Sequence, residues 1–409
     1  MKPWAKVIIG DSRRMTEIED GTIGLVVTSP PYWHLKDYGV KNQIGFGQTL
    51  HEYLKDLYRV WQESYRVLTP GRRLVVNIGD QFARSIIYGR YKVIPLHAEV
   101  ISQCEKIGFD YMGSIIWQKK TTMNTTGGAT VMGSYPYPPN GIVEIDYEFV
   151  MIFKKIGKSA PIPAERKKAS ALSKEEWKEY FSGHWNFGGV RQKGHEAMFP
   201  DELPKRVIKM FSFQGDTVLD PFLGSGTTAK VALSLRRNVI GYEVNKQYEK
   251  MIRRKIGIIG EVEIIERSET VPLPEIDYVP SIANAEPKID PKKLDFKKGI
   301  YKVSEVVDDR TLKLDTGLVV ELLGISTLHK TMAIDYLRKY VLGKEIRLRF
   351  DKMTQVEGNK VSAYVYLKNG IFVNLYMIKA GLSQTDKKRN YEHKKQFLSV
   401  EFESVNGGL

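Results

Sequence analysis

Two short stretches of the chain carry residue types whose spacing could do chemistry. The first, Asp220-Pro221-Phe222-Leu223-Gly224-Ser225-Gly226-Thr227-Thr228, follows an apolar strand-like run and opens a helical one. Glycine has no Cβ, so the backbone there can turn sharply and come close to a ligand. The next strand-like run ends in Gly241-Tyr242-Glu243, and a carboxylate about twenty residues past such a loop is the residue type that hydrogen-bonds ribose hydroxyls. Together they read as a cradle for a nucleoside cofactor, whereas the glycines alone would equally suit an ordinary tight turn. The second stretch is Thr28-Ser29-Pro30-Pro31-Tyr32-Trp33. Two prolines fix the backbone and remove two donors, so carbonyls at Ser29 and Pro30 can point rigidly into a site. An aromatic follows at once. Methylation of an exocyclic amine wants this arrangement, because the amine lone pair is delocalised into its ring and is a poor nucleophile. Acceptors on the amino protons localise it, and an aromatic face holds the flipped base at about 1–3 kcal/mol. A plain proline-containing loop is the competing reading.

Both stretches need strands to carry them. Short apolar runs alternate with helical patterns through the first two thirds, beginning with Lys6–Ile9 and Ile23–Thr28, which predicts an α/β sheet. From Leu50 to Leu68 apolar residues recur at helical spacing, and Pro70-Gly71 is expected to stop that helix before a strand at Leu74–Ile78. Further strands are expected at Ser114–Trp117, Glu148–Phe153, Thr217–Asp220 and Asn238–Gly241. The polar stretch between Phe153 and Thr217 carries too few apolar residues for a core element. In a doubly wound sheet, ligands sit at the carboxyl ends of strands near the switch in strand order, so two loops distant in sequence can face one crevice.

With these residues in place, the chain over about residues 5 to 260 resembles the S-adenosylmethionine-dependent DNA amino-methyltransferases of prokaryotic restriction-modification systems, in the permuted (beta-class) order with the catalytic motif before the cofactor motif. The resemblance implies a Rossmann-like methyltransferase sheet, S-adenosylmethionine as cofactor and double-stranded DNA as partner, with a cognate restriction endonuclease as a further candidate partner. It implies catalytic roles for Ser29, Pro30, Pro31 and Tyr32. Ser29 at the head of the tetrapeptide, with Trp33, Tyr38-Gly39 and Gln43-Ile44-Gly45, resembles the N4-cytosine subgroup, while N6-adenine methylation keeps the same fold. Cofactor contacts are implied for Asp220, Pro221, Phe222, Gly224, Ser225, Gly226, Thr227, Thr228 and Glu243, with Asp11 near the adenine and Phe199 at the methionine end. Target recognition is implied at about 154–195, where Lys154, Lys155, Lys158, Arg166, Lys167 and Lys168 suit phosphate contacts, and Trp33 suits contact with DNA. A solvated charged loop is the plainer reading of those cations. The loop 121–141 could close over a flipped base.

The composition shifts after about residue 263, where five prolines interrupt a stretch without periodicity. This predicts a methyltransferase domain over 1–263, a linker over 264–296 and a second domain over 297–409. The last segment is rich in short β-branched runs and is expected to form a small β-barrel. It resembles the staphylococcal-nuclease-like (OB-type) barrel with its chemistry lost. Where active members bind calcium through two aspartates this chain has Arg310 and Ser326, and His329 takes the catalytic glutamate position. The phosphate-holding arginines fall at Glu321 and Lys360. No metal is expected, since calcium needs several oxygen ligands. The 409 residues carry 62 Lys and Arg against 48 Asp and Glu, a formal charge of +14, which favours a polyanionic partner. No apolar run long enough for a membrane span and no signal peptide is evident, so a cytoplasmic protein with no membrane partner is expected. Its single cysteine, Cys104, excludes an internal disulfide and reads as a buried thiol. A DNA-binding protein with an inactive methyltransferase domain and a bifunctional nuclease are the alternatives from other classes.

Overall fold

The computed structural model describes residues 2–33, 38–40, 43–83, 92–119, 136–189, 200–267, 272–282, 289, 293, 299–351 and 353–406. The chain divides into two compact units: Met1–Gly45 with His51–Gln81 and Ile94–Ala283, and Asn284–Leu409 with the short segments Phe46–Leu50 and Phe82–Val93.

The first unit is built on one nine-stranded sheet. In chain order its early elements are β1 (Trp4–Ile9), β2 (Ile23–Thr28), α1 (Leu50–Val67) and β3 (Leu68–Ile78). The short strands β4 (Gln81–Ala83) and β5 (Lys92–Ile94), most of whose residues are counted with the second unit, pair as a separate ribbon. Then follow α2 (Leu96–Ile107), β6 (Phe109–Lys119), β7 (Tyr147–Lys155), α3 (Ala164–Ala169), α4 (Lys174–Tyr180) and β8 (His184–Phe187). The series ends with α5 (Glu202–Phe211), β9 (Thr217–Asp220), α6 (Thr227–Ser234), β10 (Asn238–Glu243), α7 (Glu249–Ile256) and β11 (Glu261–Glu266). The spatial order is β11-β1-β10-β9-β2-β3-β7-β6-β8. All neighbours run parallel except β7, which is antiparallel to both β3 and β6. The periodicity of α1 is realised as a buried face of Leu50, Tyr53, Leu54, Leu57 and Trp61, all 0% exposed. At about 1.5–3 kcal/mol per fully buried large apolar side chain, that face secures the helix to the sheet far more strongly than its intrinsic propensity does. Cys104 lies buried in α2.

Three expectations are corrected. Pro70-Gly71 does not separate α1 from a strand at 74, because β3 begins at Leu68 directly after the helix. The pairing with β2 shifts register between Ile23 and Leu25, and Gly71 takes φ +80°, so the dipeptide is absorbed as an irregularity at the start of the strand. The polar stretch after Phe153 does hold core elements. In β8, Trp185 is 1% exposed and lies in register with Trp117 of β6, and α5 buries Leu203, Val207 and Ile208. So few apolar residues suffice because β8 is a four-residue edge strand with one inward tryptophan.

The domain boundary drawn at 263 falls inside β11, whose residues through Glu266 pair with β1. Beyond it, Arg267 hydrogen-bonds Glu17 at 2.8 Å and the Asp11 carbonyl at 2.9 Å. Tyr278 stacks on Tyr58 of α1 with ring centroids 4.5 Å apart and donates to the buried Glu99 of α2. Residues 264–267 and 272–282 therefore belong to the first unit.

In the second unit β12 (Ile300–Val306), β13 (Thr311–Leu314), β14 (Val319–Leu322), β16 (Glu345–Arg349) and β18 (Lys360–Leu367) follow the order β14-β13-β12-β16-β18, and β14 pairs with β18, closing a small five-stranded barrel. Short strands β15 (Ile325–Thr327), β17 (Val356–Glu357) and β19 (Ser383–Thr385) and helices α8 (Lys330–Tyr340), α9 (Val373–Lys379) and α10 (Lys394–Asn406) complete the unit. Arg310 and Lys360 both pair with Glu321, at 3.2 and 2.6 Å.

If 264–267 and 272–282 are fastened in this way, Tyr278→Ala removes a buried ring, 3% exposed, and strips a donor from Glu99. The expected cost is about 3 kcal/mol or more, read as a melting temperature lower by roughly 6–12 °C. A free linker would show no change.

Candidate functional site

The switch in strand order falls between β9 and β2, whose residues Leu25–Val26 pair with Val218–Leu219 in parallel. The Ser29–Tyr32 loop after β2 and the Asp220–Thr228 loop after β9 therefore leave the same edge of the sheet side by side. A buried hydrogen bond joins them: Thr28 Oγ1 donates to Asp220 Oδ1 at 2.7 Å. Asp220 Oδ2 accepts from Thr228 Oγ1 at 2.6 Å and Oδ1 also accepts the Phe222 amide at 3.0 Å. Burial pushes the Asp220 carboxyl up from its ordinary range, and these three donors oppose that rise. Asp220 and Thr228 thus shape the loop. Ser225 and Thr227 are likewise engaged, by Lys255 Nζ of α7 at 2.8 and 3.3 Å.

What the loop leaves open is backbone. Gly224 and Gly226 take φ +55° and +85°, and a Cβ built on Gly224 would meet nothing within 4 Å. Glycine is required there for conformation, and the space above it is clear for a ligand. Beside it, Glu243 ends β10 with 8% exposure. Burial raises its carboxyl to about 7, against the hydrogen bonds from the Asn245 and Gly224 amides that lower it. A buried carboxylate next to an open glycine turn at a switch point fits a ligand that presents hydroxyl donors, as a nucleoside ribose does.

Asp11 follows β1, whose Ile9 pairs with Glu243, so it stands at the same sheet edge. Its carboxylate is gripped by Arg13, through Nε at 2.8 Å and the amide at 2.9 Å, and Arg13 also bonds Asp56 at 2.6 Å. Phe199 lies outside the described residues, as do 190–198 and most of the loop 121–141.

The Ser29–Tyr32 tetrapeptide is anchored twice. Tyr53 of α1 donates to the Pro31 carbonyl at 3.0 Å. The Tyr32 hydroxyl donates to Glu148 of β7, which is 5% exposed and also receives Lys119 Nζ and, at 2.6 Å, Asn77 Nδ2. Burial and the Glu148 charge push the Tyr32 phenol well above its usual range. Sequence reasoning missed Glu148, Lys119, Tyr53 and Lys255. Asn77, Glu148 and Tyr53 stood in segments expected as strands or helix, with no site role read for them. Asp80, past the end of β3, bonds the His97 amide and ring near the start of α2 at 3.2 and 2.7 Å.

The proposed DNA contacts do not gather here. Trp33 is 3% exposed and packs into the unit. Because β7 runs antiparallel, its carboxyl end returns to the start of β3, with Lys154 paired to Arg73. Lys155 Nζ is spent on the carbonyls of Tyr65 and Leu68 at 2.6 and 2.8 Å. Arg166 is held by the Gln214 carbonyl and Asp216, both at 2.7 Å. Lys158, Lys167 and Lys168 are exposed but belong to the same segment. Lys154 stands level with Arg73 and Leu25, about 13 Å of strand from Ser29 at about 3.3 Å per residue, and Arg166 is tied to Asp216, which precedes β9 on the amino-end side of the sheet.

The chain matches the DNA methylase family over residues 23–254. The type II methyltransferase M.MjaI of Methanocaldococcus jannaschii is 40% identical over 284 residues, which cover 62% of this chain and 91% of that relative. M.MthZI of Methanothermobacter thermautotrophicus, also a type II methyltransferase, is 34% identical over 284 residues, covering 63% and 78%. Among solved structures, a putative DNA modification methylase of Thermus thermophilus, complexed with S-adenosyl-L-methionine, superposes with a TM-score of 0.52 at 33% identity, covering 65% of this chain and all of that one. The family match runs from the first residue of β2 into α7 and so spans both loops that meet at the switch point, and the chain belongs to the DNA methylase family.

Proposed function

We propose that the first unit transfers a methyl group to the N4 amino group of a flipped cytosine in DNA. The methyl donor is S-adenosyl-L-methionine, and the residues present fit it: Glu243 to accept from the ribose hydroxyls, the open backbone at Gly224–Gly226 to lie against the nucleoside, and Asp220 with Thr228 to keep that backbone in shape. When bound, it supplies an electrophilic methyl group. The observation that carries the proposal is the Thr28–Asp220 hydrogen bond, which yokes the Ser29–Tyr32 loop to the cofactor loop. Ser29 and the carbonyls of Ser29 and Pro30 accept the amino protons and so concentrate the lone pair on the amine nitrogen. The Tyr32 ring holds the base by stacking, and the remaining work is positioning. Serine at the head of the tetrapeptide supports cytosine, and N6 of adenine is the second reading on the same geometry.

Expression in a methylation-deficient host, with nucleosides resolved by mass spectrometry, decides the base. N4-methylcytosine is expected, N6-methyladenine would move the target to adenine, and the absence of both would remove the activity. Tyr32→Ala should lower turnover by roughly tenfold or more, scaled from one lost stacking contact, with cofactor affinity intact.

Glu243 gives a pH signature. Its carboxyl titrates at about 7 in the free protein, and ribose hydroxyls donate more strongly to the carboxylate than to the neutral acid. Cofactor affinity should therefore rise as pH increases through 7 and level off above it. Calorimetry across pH 6–9 should show this slope in the wild type and none in Glu243→Gln. Glu243→Ala should weaken binding by about 1.5–3 kcal/mol at pH 8.

For the barrel we infer a DNA-holding role without cleavage. From Asp290 to Leu409 there are 22 Lys and Arg against 15 Asp and Glu, a surplus of +7 and half of the whole chain's excess. Glu321 is paired with both Arg310 and Lys360, so the positions that resemble a nuclease centre are closed on one another. A second phosphate-binding module raises the effective concentration of DNA at the cleft. A chain ending at Ile282, which keeps β11 and Tyr278, should bind DNA more weakly than the full chain. The slope of log affinity on log salt should flatten by about one unit per lost contact. Equal affinity and slope would exclude the role.

A further inference from the structure

We propose that Glu148 is a positioning residue for methyl transfer, fixing the Tyr32 ring in the plane that receives the base; this rests on the assignment of Tyr32 above. Tyr32 follows two prolines in a loop outside any helix or strand, so nothing in its backbone sets the direction of its ring. Two anchors do. Tyr53 holds the preceding Pro31 carbonyl at 3.0 Å, and Glu148 Oε1 receives the phenol hydroxyl. With the backbone end and the far tip of a rigid ring both fixed, its two side-chain torsions are determined.

Glu148 is itself held on every side. Asn77 of β3 donates to Oε2 at 2.6 Å, and Lys119 at the end of β6 pairs with Oε1. Gly79 leaves the room, since a Cβ there would stand 3.0 Å from Glu148 Cγ. Three adjacent strands thus aim one carboxylate at the ring tip. Stability alone is a poor reason for it, because a buried ion pair is often matched or bettered by apolar residues of similar volume. Asn77 Oδ1 has no partner among the described residues. Its amide can therefore turn over, which lets Glu148→Gln keep an oxygen toward Tyr32 while its new NH2 meets Asn77 Oδ1.

The test uses the full chain, plasmid DNA from a methylation-deficient host and labelled S-adenosyl-L-methionine, with single-turnover rates for wild type, Tyr32→Phe, Glu148→Ala, Glu148→Gln and the Tyr32→Phe/Glu148→Ala double variant. Cofactor affinity and the melting midpoint are measured alongside. Tyr32→Phe and Glu148→Ala should each slow transfer by about tenfold, the low end for one charge-assisted hydrogen bond, with cofactor affinity unchanged. The double variant should be no slower than Tyr32→Phe, and Glu148→Gln should stay within about threefold of wild type. A second tenfold loss in the double variant, Glu148→Gln as slow as Glu148→Ala, or Tyr32→Phe at the wild-type rate would each overturn the proposal. Should Glu148→Ala fail to fold, the Gln and Phe variants still decide it. Near wild-type activity in Tyr32→Ala would instead sink the assignment of Tyr32 itself.

Discussion

The methyltransferase unit depends on one buried contact, the hydrogen bond from Thr28 to Asp220 across the β2–β9 pair. Asp220 lies 192 residues beyond Thr28 in the chain, yet the two occupy the last positions of neighbouring parallel strands. Removing either partner would leave the other buried and unsatisfied, at about 1–3 kcal/mol for a neutral group and more for the carboxylate. The larger consequence would be geometric. The Ser29–Tyr32 and Asp220–Thr228 loops are independent in sequence, and the proposed in-line methyl transfer between them needs their spacing held within about half an ångström. Placing the link at the strand ends, before either loop begins, lets the rigid sheet set that spacing.

Around this link one pole of the sheet gathers buried acids: Asp220 and Glu243 at the carboxyl ends of parallel strands and Glu148 at the amino end of antiparallel β7, exposed by 1%, 8% and 5%. Each is held by a different donor set. Hydroxyls and an amide serve Asp220, backbone amides serve Glu243, and a lysine, an amide and the Tyr32 phenol serve Glu148. The amino-end pole does the opposite. There Arg72 and Arg166 converge on Asp216 at 3.1 and 2.7 Å, and Arg237 reaches the Ser212 carbonyl at 2.7 Å. Those contacts fasten turns to the sheet. Buried acids are thus gathered at one pole of the sheet and arginine-fastened turns at the other.

This polarity explains what the sequence disclosed and what it hid. The strands of the parallel core were legible because each is a short apolar run, and the two loops were legible because proline and glycine act through the backbone and need no partner to be read. Glu148 was hidden, for its significance lies in Asn77, Lys119 and Tyr32, which only the β3-β7-β6 order brings together. β8 was hidden because an edge strand needs one buried tryptophan and little else. The strap ending at Tyr278 looked like a linker since its prolines break periodicity, whereas its attachment rests on one ring and one carboxylate.

The lysines and arginines after β7 show the same limit from the other side. A cluster of cations in sequence says that positive charge is near itself, and strand direction decides which pole of the sheet receives it. Had β7 run parallel to its neighbours, Lys154 and Lys155 would have emerged at the carboxyl ends beside Tyr32. Its reversal sends them toward the start of β3 and brings Glu148, at the opposite end of the same strand, to the Ser29–Tyr32 loop. One antiparallel strand therefore both withdraws the cations from the cleft and supplies the carboxylate that meets Tyr32.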